Sequence, residues 1–294
     1  MNSLAAADAK VADPSDIAGA YAFCRQFCAA HYENFPVASR LLPWRLRPHV
    51  DALYAFARIA DDFADAPEFA AVRRERLLDW RRQLGEAGRS AAAHPVFLAL
   101  GRTIGDMDLP REPLNDLLSA CLQKTEKRRY ASCDELLDYC RRSANPVGRL
   151  ILMMHGYRDD ELFRYCDAIC TALQLAKFWQ DLSLDLKRDR IYIPEEDFKA
   201  YAYSEADLRM GVCNDRFREL MKFQINRTRS LFEQGRPLPG KVRWPLSWEV
   251  RVTWYGGREL LRKIRKRGFD TLTQRPVLTR WDWLPLTLRT VLKP

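Results

Sequence analysis

The stretch YAFARIADDFAD, residues 54–65, decides the fold of this 294-residue chain. Alanine and phenylalanine dominate it, neither Gly nor Pro interrupts it, and an apolar residue returns every three or four positions, which predicts an α-helix. Asp61 and Asp65 then share one helix face with Tyr54 and Arg58. Two carboxylates one turn apart, with Cβ atoms about 6 Å apart, can share a hard cation. A solvated helix end with three acids would show the same pattern, so this stretch alone leaves both interpretations open.

A second acidic helix is predicted by LQLAKFWQDLSLD, residues 173–185. Asp181 and Asp185 repeat the one-turn spacing, and Gln174 and Lys177 lie on the same face. Two acidic pairs facing each other across a cavity can hold several Mg²⁺ ions, each also taking water and substrate phosphate oxygens. An isoprenoid diphosphate would suit such a site.

The one-turn acidic spacing is weak by itself, because residues 134–138 and 185–189 show it as well. Ser132 and Glu135 match a capping box, so Asp134 is expected to be a first-turn acid that the helix dipole stabilises. A basic or amide side chain one turn earlier distinguishes the two motifs proposed to bind metal.

The composition favours an anionic partner. The chain is 47% hydrophobic and 30% charged, with a net charge of +9 and a pI of about 9.2. A diphosphate, an anionic membrane surface or nucleic acid would suit this charge, but no nucleic-acid-binding motif is present, so nucleic acid is not expected. Eight cysteines without a CxxC motif predict small buried side chains in a reducing cytosol rather than a zinc site.

The remaining sequence predicts helices and no strand alternation. Residues 1–14 are expected to form a disordered lead, and residues 15–294 a single all-α domain whose helices surround a central cavity. The first residues are not expected to act as a signal peptide, and no apolar run is long enough to predict a membrane-spanning helix. The dinucleotide-binding and P-loop glycine patterns are also absent.

Residues 135–154 predict a long helix with Pro146 inside it. A proline within a helical pattern predicts a kink, and Gly148 allows another backbone to come close. A break between two separate helices is the alternative.

The end of the chain is basic and aromatic. Residues 258–267 carry six Arg or Lys side chains, and Trp281 and Trp283 follow with several leucines. Such a tail suits two arrangements: contact with an anionic bilayer, or packing on the domain as an ordinary last helix. We therefore expect a cytoplasmic protein, with peripheral contact at the inner membrane face as the further option.

These motifs together resemble the squalene and phytoene synthase family over about residues 17–290. YAFARIADDFAD and LQLAKFWQDLSLDLKRDRIYIP match its two acidic motifs in order. HYENFPVASRLLP, DYCRRSANPVGRL and GGRELLRKIRKRGFDTLTQRP resemble the hydroxysqualene synthase branch of bacterial hopanoid pathways more narrowly.

The resemblance implies an isoprenoid synthase fold and Mg²⁺-dependent chemistry with two or three ions. It implies that presqualene diphosphate ionises, rearranges and is captured by water, which gives hydroxysqualene. Other pathway enzymes would then supply the substrate and reduce the product, and no NADPH is expected.

The resemblance also implies roles for individual residues. The metal-binding positions are Asp61, Asp65, Asp181 and Asp185, which also count as catalytic. Tyr139 matches a tyrosine that acts in the cation chemistry. The positions implied to line the substrate site are His31, Asn34, Tyr54, Arg58, Gln174, Lys177, Arg190 and Tyr192.

Two positions depart from the family pattern. Lys177 stands where relatives have a metal-binding Asn, and an ammonium cannot bind Mg²⁺. Gln180 stands where an Arg often precedes the second motif. Lys177 keeps open the alternative of a non-catalytic, membrane-associated family member. A second alternative within the enzyme class is a squalene, dehydrosqualene or presqualene diphosphate synthase acting on two farnesyl diphosphates.

Overall fold

The computed structural model of the chain describes residues 6–10, 13, 16–31, 42–88, 94–279 and 282. This part contains helices and turns and no β-strand, which confirms the all-α expectation. The helices in chain order are α1 (Ile17–His31), α2 (Arg47–Asp65), α3 (Arg73–Glu86), α4 (Pro95–Met107), α5 (Glu112–Glu126), α6 (Cys133–Ser143), α7 (Asn145–Met154), α8 (Asp160–Lys187), α9 (Glu195–Ala200), α10 (Glu205–Arg209), α11 (Asp215–Gly235), α12 (Leu238–Lys241) and α13 (Leu246–Lys266), with a 3₁₀ turn at Pro67–Phe69.

The chain divides into two compact units. The single domain expected over 15–294 stays a prediction. The first unit comprises residues 1–126 and 149–157. Its central helix is α2, which packs against α1, α3, α4 and α5. The apolar face of α2 is buried through Phe56 and Phe63, whose rings contact Trp80. This burial leaves the opposite, acidic stripe of α2 to carry the first motif.

The second unit comprises residues 127–148 and 158–294. Its central helix is α8, which packs against α6, α11, α12 and α13. Asp159 caps α8, since its side chain accepts from the backbone N–H groups of Glu161 and Leu162. Trp179 is buried, and its indole N–H donates to Thr228 Oγ1 on α11 at 2.8 Å. Each acidic motif therefore lies on the central helix of its own unit.

The start of the chain differs from the expected disordered lead. Ala6 and Ala7 are buried in the core of the first unit, and the carbonyl of Ala6 lies 2.8 Å from His94 Nε2. Asp8 forms an ion pair with Arg76 at 2.7 Å. The described residues of this segment thus have tertiary partners that a short polar sequence does not reveal.

The predicted long helix over 135–154 is wrong, and the alternative of two helices is correct. The helix α6 ends at Ser143, and α7 begins at Asn145, immediately before Pro146. Gly148 does allow a close approach, but by side chains and not by a backbone: a Cβ there would collide with the sulfur atoms of Cys166 and Cys170. All eight cysteines are free thiols. None of the helices in the described part has the length and hydropathy needed to cross a membrane.

Candidate functional site

The first acidic pair surrounds a cation that comes from another helix. Lys124, near the end of α5, places its Nζ 2.8 Å from Asp61 Oδ1 and 2.5 Å from Asp65 Oδ2. Its side chain is only 14% exposed, and that of Asp65 only 17%. The two carboxylates thus converge on one point at which a positive charge is held. This geometry supports the interpretation of the pair as a cation site.

Arg58 does not contact this pair as its position on the helix face suggested. Its Nε lies 3.0 Å from Oδ1 of the buried Asp62, one turn later, without hydrogen-bond alignment. Asp62 stands between the two motif acids in sequence and points to the core side of α2. The guanidinium therefore neutralises a buried carboxylate next to the motif.

Tyr54 and His31 lie together in the first unit. The Tyr54 hydroxyl donates to the His31 carbonyl at 3.3 Å. The His31 ring stacks on Phe27, and its Nδ1 lies 2.9 Å from the Phe27 carbonyl. A carbonyl can only accept, so Nδ1 carries the hydrogen, and Nε2 is the nitrogen left for other contacts. Asn34 lies outside the described residues.

The second acidic pair has a different charge arrangement. Asp181 Oδ2 lies 3.2 Å from Lys177 Nζ one turn earlier, and Asp181 Oδ1 lies 2.6 Å from Arg275 Nε. The Asp181 side chain is 13% exposed, whereas that of Lys177 is 59% exposed. Asp185, one turn later, and Gln174, two turns earlier, are both half-buried on α8.

Arg275 is a site residue that sequence reasoning missed. It lies 94 positions after Asp181, so helical spacing gives no signal for this contact. Gln180 holds the same segment, because its amide N–H donates to the Pro276 carbonyl at 2.6 Å. Gln180 thus fixes the segment that brings an arginine to Asp181.

An aromatic cluster lies in the second unit beside this helix. It consists of Tyr130, Tyr139, Phe178 and Tyr192, all buried. The rings of Phe178 and Tyr192 stack at 3.7 Å, and Tyr139 lies 6.2 Å from each of them. Tyr139 and Tyr192 were predicted site residues, whereas Tyr130 and Phe178 were not. An aromatic face stabilises a positive charge that lies over it, within about 6 Å of the ring centre.

The segment after α8 is held in place by backbone hydrogen bonds. The Ile191 N–H donates to the Arg128 carbonyl at 3.0 Å, and the Glu195 N–H donates to the Tyr130 carbonyl at 2.9 Å. The Arg190 N–H donates to the Asp185 carbonyl at 2.9 Å, and its side chain is 8% exposed. Arg190 and Tyr192 are thereby fixed next to the second motif and the aromatic cluster.

The other two acidic spacings have ordinary structural partners. Asp138 pairs with Arg141 and Arg142 on its own helix. Ser132 Oγ accepts from the Glu135 N–H at 3.3 Å, which confirms the predicted cap. Asp189 pairs with arginines, which hold the pKa of this carboxylate well below its usual range.

The two motifs have the donor chemistry that Mg²⁺ prefers. Each provides two carboxylates one turn apart, and in each motif at least one carboxylate lies within ion-pair distance of a basic side chain. Among the described residues no group of three or more His, Cys, Asp and Glu side chains forms a metal cluster. A pair of carboxylates suits Mg²⁺, which keeps several waters and completes its coordination with substrate phosphates.

Comparison with known proteins decides the family. Residues 28–282 match the squalene/phytoene synthase family. The chain belongs to this family. Members of the squalene/phytoene synthase family are isoprenoid synthases and act on isoprenoid diphosphates.

Individual relatives extend over most of the chain. The crystal structure of squalene synthase HpnC from Alicyclobacillus acidocaldarius is 37% identical, with a TM-score of 0.83 over 92% of this chain and 99% of that one. A hydroxysqualene synthase from Rhodopseudomonas palustris is 31% identical over 83% of this chain and 82% of its own. A phytoene synthase from Arthrospira platensis is 30% identical over 91% of both. The fold is therefore the isoprenoid synthase fold of this family.

Proposed function

We propose that this member of the squalene/phytoene synthase family converts presqualene diphosphate to hydroxysqualene. The observation that carries the proposal is the pair of carboxylates on α2 that converge on one cation, together with the aromatic cluster beside the second acidic helix. The first feature suits an anionic leaving group and the second a carbocation. The likeness to squalene synthase HpnC and to a hydroxysqualene synthase supports the choice of substrate.

Mg²⁺ is the proposed cofactor, with two or three ions held by Asp61, Asp65, Asp181 and Asp185. When bound, Mg²⁺ supplies the positive charge that stabilises the departing diphosphate. Lys124 would be displaced from the α2 carboxylates and then be free to donate to a phosphate oxygen. Lys177 reduces the charge of Asp181 and provides no metal-binding atom of its own, so we propose fewer ions at α8 than at α2.

The aromatic cluster would stabilise the cation after the diphosphate leaves. The C–O bond to the diphosphate breaks and both electrons go with the leaving oxygen. The faces of Tyr139, Phe178 and Tyr192 stabilise the positive charge during rearrangement. Water then adds to the cation and loses a proton, which gives the alcohol without a reductant. The buried hydroxyl of Tyr139 is our candidate for the proton relay.

A second candidate reaction is the condensation of two prenyl diphosphates, as in a squalene, dehydrosqualene or presqualene diphosphate synthase. The likeness to a phytoene synthase over 91% of the chain favours this candidate. A third candidate is a non-catalytic family member, which Lys177 favours and the four motif aspartates oppose. Enzymes that supply presqualene diphosphate and reduce hydroxysqualene are the expected pathway partners.

The test is incubation of purified protein with presqualene diphosphate and Mg²⁺, without NADPH, with the products identified by mass spectrometry. Hydroxysqualene that appears only with Mg²⁺ is the expected result. Asp138→Asn provides the matched control, since Asp138 has the motif spacing but pairs with arginines. A C30 hydrocarbon or presqualene diphosphate formed from farnesyl diphosphate would favour the second reaction. No product from either substrate would favour the non-catalytic role.

A further inference from the structure

The second unit contains a basic groove that the proposed reaction does not use. It has a volume of about 990 Å³ and is lined by residues of α11, α12 and α13, by Arg236 and Pro237 between α11 and α12, and by Phe269. Seven Arg or Lys side chains and only two carboxylates line it. None of the motif aspartates or aromatic cluster residues is among them. The groove is therefore a separate, strongly cationic surface.

The two carboxylates of the groove are already neutralised. Glu233 pairs with Arg258, and Glu259 pairs with Arg262. By contrast, Arg229, Arg236 and Arg265 are exposed, and within the described ranges no carboxylate lies at ion-pair distance from any of them. Guanidinium groups without a protein partner suit phosphate oxygens, which they bind with paired N–H donors.

The wall of the groove is aromatic and rigid. Trp254 is 7% exposed, and its indole N–H donates to the Phe232 carbonyl at 2.6 Å. The Arg258 guanidinium carbon lies 4.4 Å from the centre of the Trp254 ring. Tyr255 and Phe269 add further aromatic lining. A ligand with both phosphate and apolar parts would match this combination.

An exposed tryptophan lies in the short connection between two of the lining helices. Trp244, between α12 and α13, is 74% exposed and follows Arg243 directly. Exposure of this large apolar ring to water does not stabilise the protein, whereas tryptophan is enriched where proteins meet the headgroup level of a bilayer. The ring and the cationic groove thus suit one and the same environment.

We infer that this groove binds the phosphates of anionic phospholipid headgroups and docks the protein on an anionic membrane surface, with Trp244 entering the interface. Charge complementarity selects this occupant. The chain's own last residues, 283–294, are a poor alternative because they contain Arg289, Lys293 and no acid. The inference is independent of the proposed reaction, although lipid substrates would be delivered at such a surface.

The test is sedimentation of the full-length protein with vesicles. The test variant replaces Arg229, Arg236 and Arg265 by Gln. The control variant replaces Arg25, Arg45 and Lys199 by Gln, which are equally exposed and also without a carboxylate partner in the described residues. Both variants remove three charges from +9, so their net charge is the same, +6.

Wild type and control are expected to bind vesicles with about 30% phosphatidylglycerol, and binding of the groove variant should be on the order of a hundredfold weaker. Neutral phosphatidylcholine vesicles should bind none of the three. Equal weakening of both variants would overturn the inference, because net charge alone would then explain binding. It would also be overturned if inorganic diphosphate bound through the three arginines while vesicles did not. Turnover of the groove variant in detergent should equal that of wild type, so this test and that of the reaction can fail separately.

Discussion

The two acidic helices differ in the origin of the positive charge beside them. On α2, one ammonium from a different helix, that of Lys124, bridges both carboxylates. On α8, two cations reach Asp181, Lys177 from its own helix and Arg275 from the segment near the C-terminus. Identical spacing therefore produces two different electrostatic sites, because spacing fixes which acids share a face but not which cations reach them.

The difference has a consequence for metal binding. Mg²⁺ at the α2 pair must displace one ammonium and then gains two carboxylates together. Mg²⁺ at Asp181 must compete with two cations for one carboxylate, and Lys177 cannot become a ligand. We therefore expect the α2 pair to bind metal more tightly than the α8 pair.

The largest expected effect is that of removing a motif carboxylate. Asp61→Asn or Asp181→Asn should lower turnover by about a thousandfold or more, because the charge that holds Mg²⁺ against the diphosphate is lost. The melting temperature should remain close to that of wild type, and Asp138→Asn should leave turnover unchanged. Near-normal turnover of either motif variant would remove that residue from the metal site.

Glu249 is a buried acid for which the described residues show no basic partner, in contrast to the motif aspartates. Glu249 on α13 is 8% exposed, its Oε1 has no hydrogen-bond partner, and burial raises its pKa from 4.5 to about 7. The folded state therefore binds the proton more tightly than the unfolded state. The free energy of unfolding should fall as the pH rises from 4.5 to about 7.

Glu249→Gln removes this titration. At pH 8 the variant should be more stable than wild type by about 3 kcal/mol, and below pH 4.5 the two should be nearly equal, as measured by thermal unfolding. Glu259→Gln is the matched control, since Glu259 is buried to the same extent on the same helix but pairs with Arg262. A pH-independent difference between wild type and Glu249→Gln would contradict the assignment.

Lys124→Met tests the bridge on α2. Without the ammonium, Asp61 and Asp65 repel each other, and the free energy of unfolding without Mg²⁺ should fall by about 1 kcal/mol. Added Mg²⁺ should restore it, because the ion takes the position between the carboxylates. Lys127→Met, which breaks a pair with Glu135, should lose stability without being restored by Mg²⁺. Failure of Mg²⁺ to rescue Lys124→Met would argue against a metal site at this pair.

Lys177→Asn is expected to have the smallest effect. The change removes one of the two cations at Asp181 and adds an amide oxygen that can bind Mg²⁺. The Mg²⁺ concentration needed for half-maximal turnover should fall about threefold to tenfold. An unchanged Mg²⁺ dependence and unchanged turnover would show that Lys177 has no influence on metal binding.

The sequence predicted those parts of the site that local periodicity determines. The all-α fold and the helical positions of both acidic pairs follow from spacing within one helix, and the Lys177–Asp181 ion pair follows from the same rule. The roles of Tyr139 and Tyr192 came from the family resemblance and not from any pattern of their own.

Tertiary contacts were beyond such reasoning. Arg58 was placed beside the motif, but it forms an ion pair with Asp62. The Asp62 carboxylate is buried and has lost most of its hydration, so a nearby cation stabilises it strongly. Neither Lys124 nor Arg275 was among the predicted site residues. Each comes from a segment far along the chain, and no helical period connects it to the acid it neutralises.

The most direct test of the central claim is to count bound metal. Mn²⁺ binding in the presence of inorganic diphosphate is measured by electron paramagnetic resonance for wild type, Asp61→Asn with Asp65→Asn, and Asp181→Asn with Asp185→Asn. We expect two or three ions in wild type and the larger loss of ions and affinity in the α2 variant. An unchanged ion count in both variants would contradict the assignment of the two acidic pairs as the metal site.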